Sequence, residues 1–184
     1  MEALSRMGIV VFDKTGTLTR GVFAVEAVHP DMPDERELLH LAAHVEHLSN
    51  HPIAAALRAA YPLEHDNCRT EQVEELPGLG IRAVIDGRTV CVGNEKMMAA
   101  VGAAVVPCDK CKAHTGTVVH VAVEGVYAGH VVIADQLKSD AADAVATLKR
   151  LGVSKTVMLT GDREEVGRTV ASQLGLDAYY AGLL

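Results

Sequence analysis

Long hydrophobic runs are the first thing this sequence lacks. Its apolar stretches, Val131–Ala134 and Gly8–Phe12 among them, fall far short of the ~20 residues a membrane-spanning helix needs, so no such helix is expected. Excess positive charge is also missing: 17 lysines and arginines stand against 24 acidic residues, a formal net charge of −7, with a pI near 5.7. That balance argues against a surface built to neutralise nucleic-acid phosphates or to lie on anionic lipid. Any phosphate bound here has to be gripped locally, by loops. Four unevenly spaced cysteines do not describe a disulfide framework, and no secretory signal opens the sequence; the setting read from these absences is reducing and cytosolic. Repeats and low-complexity tracts are absent as well. With 184 residues, 49% hydrophobic and 22% charged, the chain can form one large packed domain or two small ones.

The two ends of the chain read alike. Met7–Phe12 is a short β-branched run of the kind that forms a buried strand of a parallel sheet, and it stops at Asp13. Lys155–Leu159 is a second such run. It follows a helical stretch in which Leu137, Ala141, Ala144, Val145, Leu148 and Leu151 recur at helical spacing before Gly152. A further helix is expected over Glu164–Leu174, ended by Gly175, and a last short strand at Ala178–Tyr180. The middle differs. Helical segments at Pro33–Leu48 and Pro52–Ala60 precede short strands at Gln72–Leu76, Gly80–Asp86, Arg88–Val92, Val118–Val123 and Val126–Ile133, with Asp86-Gly87 marking a tight hairpin. An α/β unit (1–23 and 130–184) interrupted by an antiparallel α+β unit (24–129) is therefore expected. The stretch from Gly102 to Gly116 carries the least pattern.

Asp13 would lie at the carboxyl end of the first strand, where reactive groups gather in open α/β sheets. It opens Asp13-Lys14-Thr15-Gly16-Thr17-Leu18-Thr19, a hydroxyl-rich turn suited to presenting backbone N–H groups to phosphate oxygens. A carboxylate there can attack a phosphoryl group, with magnesium offsetting the charge repulsion; as an isolated residue it would more readily be read as just capping the turn. Thr160-Gly161-Asp162 ends the second strand and can face the same crevice.

Taken whole, Asp13–Thr19 resembles the phosphorylation motif of the P-type ATPases residue for residue, and those belong to the haloacid-dehalogenase-like superfamily. The resemblance implies a Rossmann-like phosphorylation domain whose Asp13 becomes an aspartyl phosphate, with Lys14, Thr15, Thr160, Gly161 and Asp162 around it and Mg2+ held in part by Asp13 and Thr15. The superfamily commonly has a second aspartate where this chain has Thr15, which activates water poorly; the feature favours a pump over a phosphatase. Asp135, in Ala134-Asp-Gln-Leu-Lys138, matches a further acidic position, or else caps the helix ahead of Leu137.

Within the middle unit, Glu46, Ser49-Asn50-His51-Pro52, Gly78-Leu79-Gly80 and Gly93-Asn94 resemble, in order and identity, the adenine-binding set of heavy-metal pumps. That implies ATP bound through Glu46, His51, Gly78, Gly80, Gly93 and Asn94, the glycines letting backbone approach ring and ribose, although each glycine taken singly could as well just make a turn. Lys155–Asp162 looks closer to the zinc, cadmium and lead pumps than to copper pumps. The family's phosphorylation domain continues with a lysine and a Gly-Asp-Gly-x-Asn-Asp segment, neither of which occurs here. The chain is thus expected to be part of a longer membrane protein, working with its membrane and actuator domains at the cytoplasmic face, and by itself to bind nucleotide with little turnover. Cys108-Asp-Lys-Cys111 with His114 has the spacing of half a zinc site, and His40, His44 and His47 share a helical face. Either group could hold a metal, against incidental cysteines and a solvated helix face. The alternatives to a pump segment are a free-standing phosphatase of the same superfamily and a cytosolic metal-sensing module.

Overall fold

The computed structural model describes residues 8–49, 51–62, 67–108 and 116–183. No helix among them is long and apolar enough to cross a membrane. The chain divides into two compact units, one made of Met1–Val22 with Asp135–Leu184, the other of Phe23–Ala134. The division therefore falls at 134/135, inside a strand, rather than at the expected 129/130.

In the first unit, β1 (Ile9–Asp13), β8 (Lys155–Leu159) and β9 (Ala178–Tyr180) form a sheet in the order β1-β8-β9, and all pairings are parallel, with Asp13 opposite Leu159. Parallel neighbours need crossover connections. These are supplied by α4 (Ala141–Arg150) and α5 (Glu164–Leu174). Gly175, at φ 66, ends α5 in the left-handed region that glycine enters without penalty. Leu18, Ala141, Met158, Val170, Ala171 and Leu174 form the core, flanked by Phe12, Leu137, Leu176 and Tyr179.

Two expectations need correction here. β1 alternates rather than lying buried on both faces: Ile9 and Val11 are 59% and 54% exposed, because among the described residues nothing packs on the face they share with Asp13. And α4 starts at Ala141, not Leu137, since Leu137 ends the long strand β7 (Val126–Leu137); its apolar side chain serves the core from a strand, which periodicity cannot distinguish from a helix position.

The second unit is a mixed sheet-and-helix body. β3 (Thr70–Leu76), β4 (Gly80–Ile85), β5 (Arg88–Gly93), β6 (Thr117–Val123) and β7 pair antiparallel in sequence order, and β2 (Thr19–Pro30) lies beyond β7. The hairpin turns Asp86-Gly87 and Glu124-Gly125 hold both central residues at positive φ, the geometry whose twist matches the flanking strands. Helices α1 (Glu35–Val45) and α2 (Pro52–Ala60) cover one face. Leu38, Leu41, Val45 and Leu57 pack there on Ile81, Ile85, Val90, Val92, Val121, Val131 and Ile133. Helix α3 (Glu95–Ala100), which the sequence pattern did not announce, covers the other with Met97 and Met98 against Cys91, Ala122 and Tyr127.

Asp177 ties three elements of the first unit together. Its carboxylate takes the Lys149 ammonium from the end of α4 at 2.6 Å and the amide and hydroxyl of Thr156 on β8 at 2.7 and 2.8 Å. Lys149 first, and Thr156 after it, hold its carboxyl down at about 2. A lowered carboxyl stabilises the fold fully above the ordinary aspartate range, and that contribution is lost as pH falls toward 2. In a carboxyl-resolved NMR titration Asp177 is expected to titrate near 2, and Lys149→Met to move its midpoint back up toward the ordinary value.

Candidate functional site

Asp13 leaves β1 with its side chain exposed and making no capping hydrogen bond, so the turn-cap reading finds no support. Residues Lys14–Leu18 form a tight turn in which Gly16 takes φ 75, a conformation that favours glycine. Thr19, buried, holds this turn from inside: its hydroxyl accepts from Gly16 N at 3.0 Å and donates to Asp135 Oδ2 at 2.6 Å. Asp135 is thus no helix cap. It sits in β7 and anchors the turn through Thr19, while Asp140 precedes α4. Lys138 adds two grips, its backbone N donating to Leu18 O at 2.9 Å and its ammonium to Gly16 O at 3.2 Å.

The parallel register that sets Asp13 opposite Leu159 puts Thr160 just past the neighbouring strand end. Thr160 is buried and its hydroxyl accepts from Asp162 N at 3.1 Å; Gly161 between them is exposed. Lys14, nearly buried, reaches across to Asp162 with Nζ–Oδ2 at 2.5 Å. The loops after β1 and β8 are therefore joined by an ion pair. Thr15, beside Asp13 and exposed, offers a hydroxyl. Carboxylate and hydroxyl oxygens suit a hard cation such as magnesium.

The second unit holds a cavity of about 350 Å³ lined by Glu46, Ser49, His51, Ile53, Glu75, Leu76, Gly78, Leu79, Gly80, Ile81, Gly93, Asn94 and Thr117–Val119. Its size is at the lower end for small-ligand sites. All six middle-unit residues named from the sequence line it. Ser49 and Leu79 belong to the quoted strings; the remaining lining residues were missed, above all Thr117–Val119 on β6, because only long-range strand pairing brings them there. Arg58 of α2 builds one wall by donating to the carbonyls of Glu46 at 2.8 Å and Ser49 at 2.9 Å, closing the exposed carbonyl end of the helical segment. His51 is the N-cap of α2: its Nδ1 accepts from Ile53 N at 3.2 Å, and Pro52 follows as the first helical residue. Glu46 is buried, and desolvation raises its pKa, opposed by Ser49, His51 and Arg58.

The glycines also serve the fold itself, and at Gly78 this is the turn-making role that a lone glycine suggests. Gly80 and Gly93 face each other across β4 and β5. A Cβ on Gly80 would lie 2.1 Å from Val92 O, and one on Gly93 would lie 2.2 Å from Leu79 O. These two let the strands meet closely. Gly78 has open space around it and is required by its φ of 73. Asn94 caps α3 by accepting from Met97 N at 3.1 Å and donates Nδ2 to Gly78 O at 2.9 Å, so its side chain holds the cavity's rim.

The histidine and cysteine groupings also differ from the sequence reading. His40 and His44 gather with Cys68, and His47 stays outside that group, exposed. Cys108 gathers with His29 and His130; Cys111 and His114 lie outside the described residues.

A family model for haloacid dehalogenase-like hydrolases matches residues 7–184, and the chain belongs to that family. It is 46% identical over its whole length to the zinc-transporting ATPase of Synechocystis sp., of which it covers 25%. To the cadmium, zinc and cobalt-transporting ATPase of Bacillus subtilis it is 44% identical, covering 26%. The chain is thus homologous to the catalytic region of heavy-metal P-type ATPases and spans about a quarter of the length of these curated relatives. Among solved structures, a zinc-transporting PIB-type ATPase in the E2·Pi state matches with a TM-score of 0.82 at 37% identity, over all of this chain and 30% of that one. The catalytic domain of the CPx-ATPase CopB-B matches with 0.70 at 26% identity, over 99% of this chain and 64% of its own length.

Two stability measurements follow from the cavity's construction. In urea unfolding, Gly80→Ala is expected to lose about 3 kcal/mol through its clash with the β5 backbone, whereas Gly78→Ala, with room for a methyl group, loses about 1 kcal/mol through its positive φ alone. Equal losses would contradict the division of roles between them. For His51, thermal unfolding of His51→Ala should show a loss of about 1 kcal/mol as the cap disappears, and His51→Asn, which can cap in its place, should recover most of it.

Proposed function

We propose that this chain is the ATP-binding and phosphorylation region of a heavy-metal cation-exporting P-type ATPase of the zinc, cadmium and lead kind. The observation that carries the reading is the convergence of Glu46, His51, Gly78, Gly80, Gly93 and Asn94 on one cavity, in a chain similar throughout to zinc- and cadmium-transporting ATPases. The adenine base occupies this cavity. The desolvated carboxylate of Glu46 accepts a hydrogen bond from the exocyclic amine, a contact strengthened by burial. His51 meets the base through the Nε2 side of its ring, because Nδ1 is committed to α2.

Chemistry belongs to Asp13. Its carboxylate oxygen attacks the γ-phosphorus of ATP, the bond to the β–γ bridging oxygen breaks, ADP leaves, and an aspartyl phosphate forms. Backbone N–H groups of the Lys14–Leu18 turn, the Lys14 ammonium and the Thr160 hydroxyl hold the transferred oxygens; the proton of Thr160 is available because its oxygen already accepts from Asp162 N. Magnesium bound by Asp13 and Thr15 would offset the repulsion between carboxylate and phosphate. Thr15 cannot act as a general base, so the acyl phosphate persists long enough for a conformational step. In the intact protein that step, at the cytoplasmic face of a membrane, is coupled by the actuator and membrane domains to export of a metal ion held outside this chain.

Calorimetric titration with ATP, with and without magnesium, tests this reading. Saturable binding is expected, weakened about tenfold or more in Glu46→Ala and in the fold-preserving His51→Asn, as the loss of one hydrogen bond to the base implies. No saturation by the wild type, or unchanged affinity in both variants, would remove the assignment of the cavity.

A further inference from the structure

We propose that His29, Cys108 and His130 form a binding site for a zinc-class divalent cation in the Phe23–Ala134 unit. They come from three places in the chain, the end of β2, the segment after α3 and the middle of β7, yet one ligand atom from each lies within 4.8 Å of the other two. Zinc bonded at its usual lengths sets tetrahedral ligand atoms about 3.3–3.8 Å apart, so about an ångström of side-chain rotation closes the set around an ion. Two imidazoles and a thiolate select zinc or another soft to borderline cation over magnesium and calcium, which want oxygen. Three protein ligands leave a fourth position for water or an exchanging ligand.

Two features of the fold build this place. Gly129, at φ 136, has no side chain where a Cβ would lie 2.5 Å from His29 O and 2.9 Å from Pro30 Cα. Its bareness lets the end of β2 press against β7, and the His29 and His130 rings come to 5.0 Å between centroids. The orientation of His130 is also fixed. Its Nδ1 is 3.0 Å from the Tyr127 hydroxyl, which is 3.0 Å from His120 Nδ1. With Nδ1 so engaged, coordination falls to Nε2, and the buried chain Tyr127–His120 is the kind of support that orients a metal-binding imidazole. His120 and His130 sit opposite each other on β6 and β7. They alternate with Val119, Val121 and Val131, which face α1 and α2, and so lie on the α3 side of the sheet, away from the cavity. The site is distinct from the Cys108–Cys111–His114 spacing of the sequence. It takes one residue of that string and completes it with two histidines distant in the chain.

The test uses the full chain, reduced and freed of metal, titrated with Co2+ as a spectroscopic stand-in and then with Zn2+ against a chromophoric chelator. One equivalent of Co2+ is expected to give the thiolate-to-cobalt charge-transfer band together with the intense visible bands of a tetrahedral ion, and Zn2+ to displace it while a large excess of Mg2+ does not. Cys108→Ser should abolish the charge-transfer band, His29→Ala and His130→Ala should each abolish stoichiometric binding, and Tyr127→Phe should weaken affinity about tenfold. His130→Gln, checked with the others by circular dichroism, replaces His130→Ala if the latter does not fold. Three results would overturn the proposal. They are absence of stoichiometric binding, wild-type affinity in the folded histidine variants with loss in Cys111→Ser, and a signal that survives Cys108→Ser but vanishes in Cys68→Ser, which would place the ion on the His40–His44–Cys68 group.

Discussion

The close meeting of Gly80 and Gly93 is the constraint on which the cavity of the larger unit depends. Where these residues face each other, each α-carbon lies where a side chain on the other would have to go. With the backbones drawn together there, Asn94 N can donate to Leu79 O at 3.0 Å and the Asn94 side chain can reach Gly78 O. That fixes the 78–80 loop relative to α3. The opposite wall is set by a single guanidinium, Arg58, gathering the carbonyls that follow α1. Neither device touches a ligand in the proposed function. Both decide where the groups that do can stand.

The smaller unit is organised by an equally local constraint, the hydroxyl of Thr19. One hydroxyl carries a single proton and can accept as well, and Thr19 uses both capacities, donating to Asp135 and accepting from the amide of Gly16. The turn after Asp13 is thereby tied to the end of β7, more than a hundred residues away in the chain. The Lys14–Asp162 pair then ties it to the loop after β8. With side chains 11% and 35% exposed, this pair is screened less than a surface bridge. Its main effect is positional: it fixes where the Lys14 ammonium stands relative to the loop after β8.

These long-range ties mark the limit of what the sequence made legible. Local signals read well. The apolar runs ending at Asp13 and Leu159, the crossover helices, and the Asp86-Gly87 hairpin all follow from periodicity and turn chemistry acting over a few residues. The Asp13–Thr19 string and the ordered set from Glu46 to Asn94 were recognisable because each is compact or keeps its order. What escaped depended on pairing across the chain. Asp135 could be the family's acidic position or a helix cap until β7 was seen to run on to Leu137, which leaves no helix there to cap. Helix α3, with six residues, is too short for a periodic pattern to declare itself. The histidine face of α1 predicted His47 as the third member, but its place is taken by Cys68, which no helical spacing could nominate.

Several residues that resemblance assigns to ligand contact are already committed to the protein: Gly80 and Gly93 to each other, both ends of the Asn94 side chain to α3 and Gly78, Asp162 to Lys14, and His51 Nδ1 to α2. Their identity is explained in part by folding alone, so the loss of function on replacing them does not by itself locate a ligand. Glu46 is the more telling residue. Desolvation raises its pKa against the opposing pull of Ser49, His51 and Arg58, so ionising this carboxyl costs more in the fold than in water, a penalty that weakens the fold as pH rises through the raised pKa. A ligand that brings a donor into the cavity removes that penalty, and this makes the buried charge intelligible as part of a binding site.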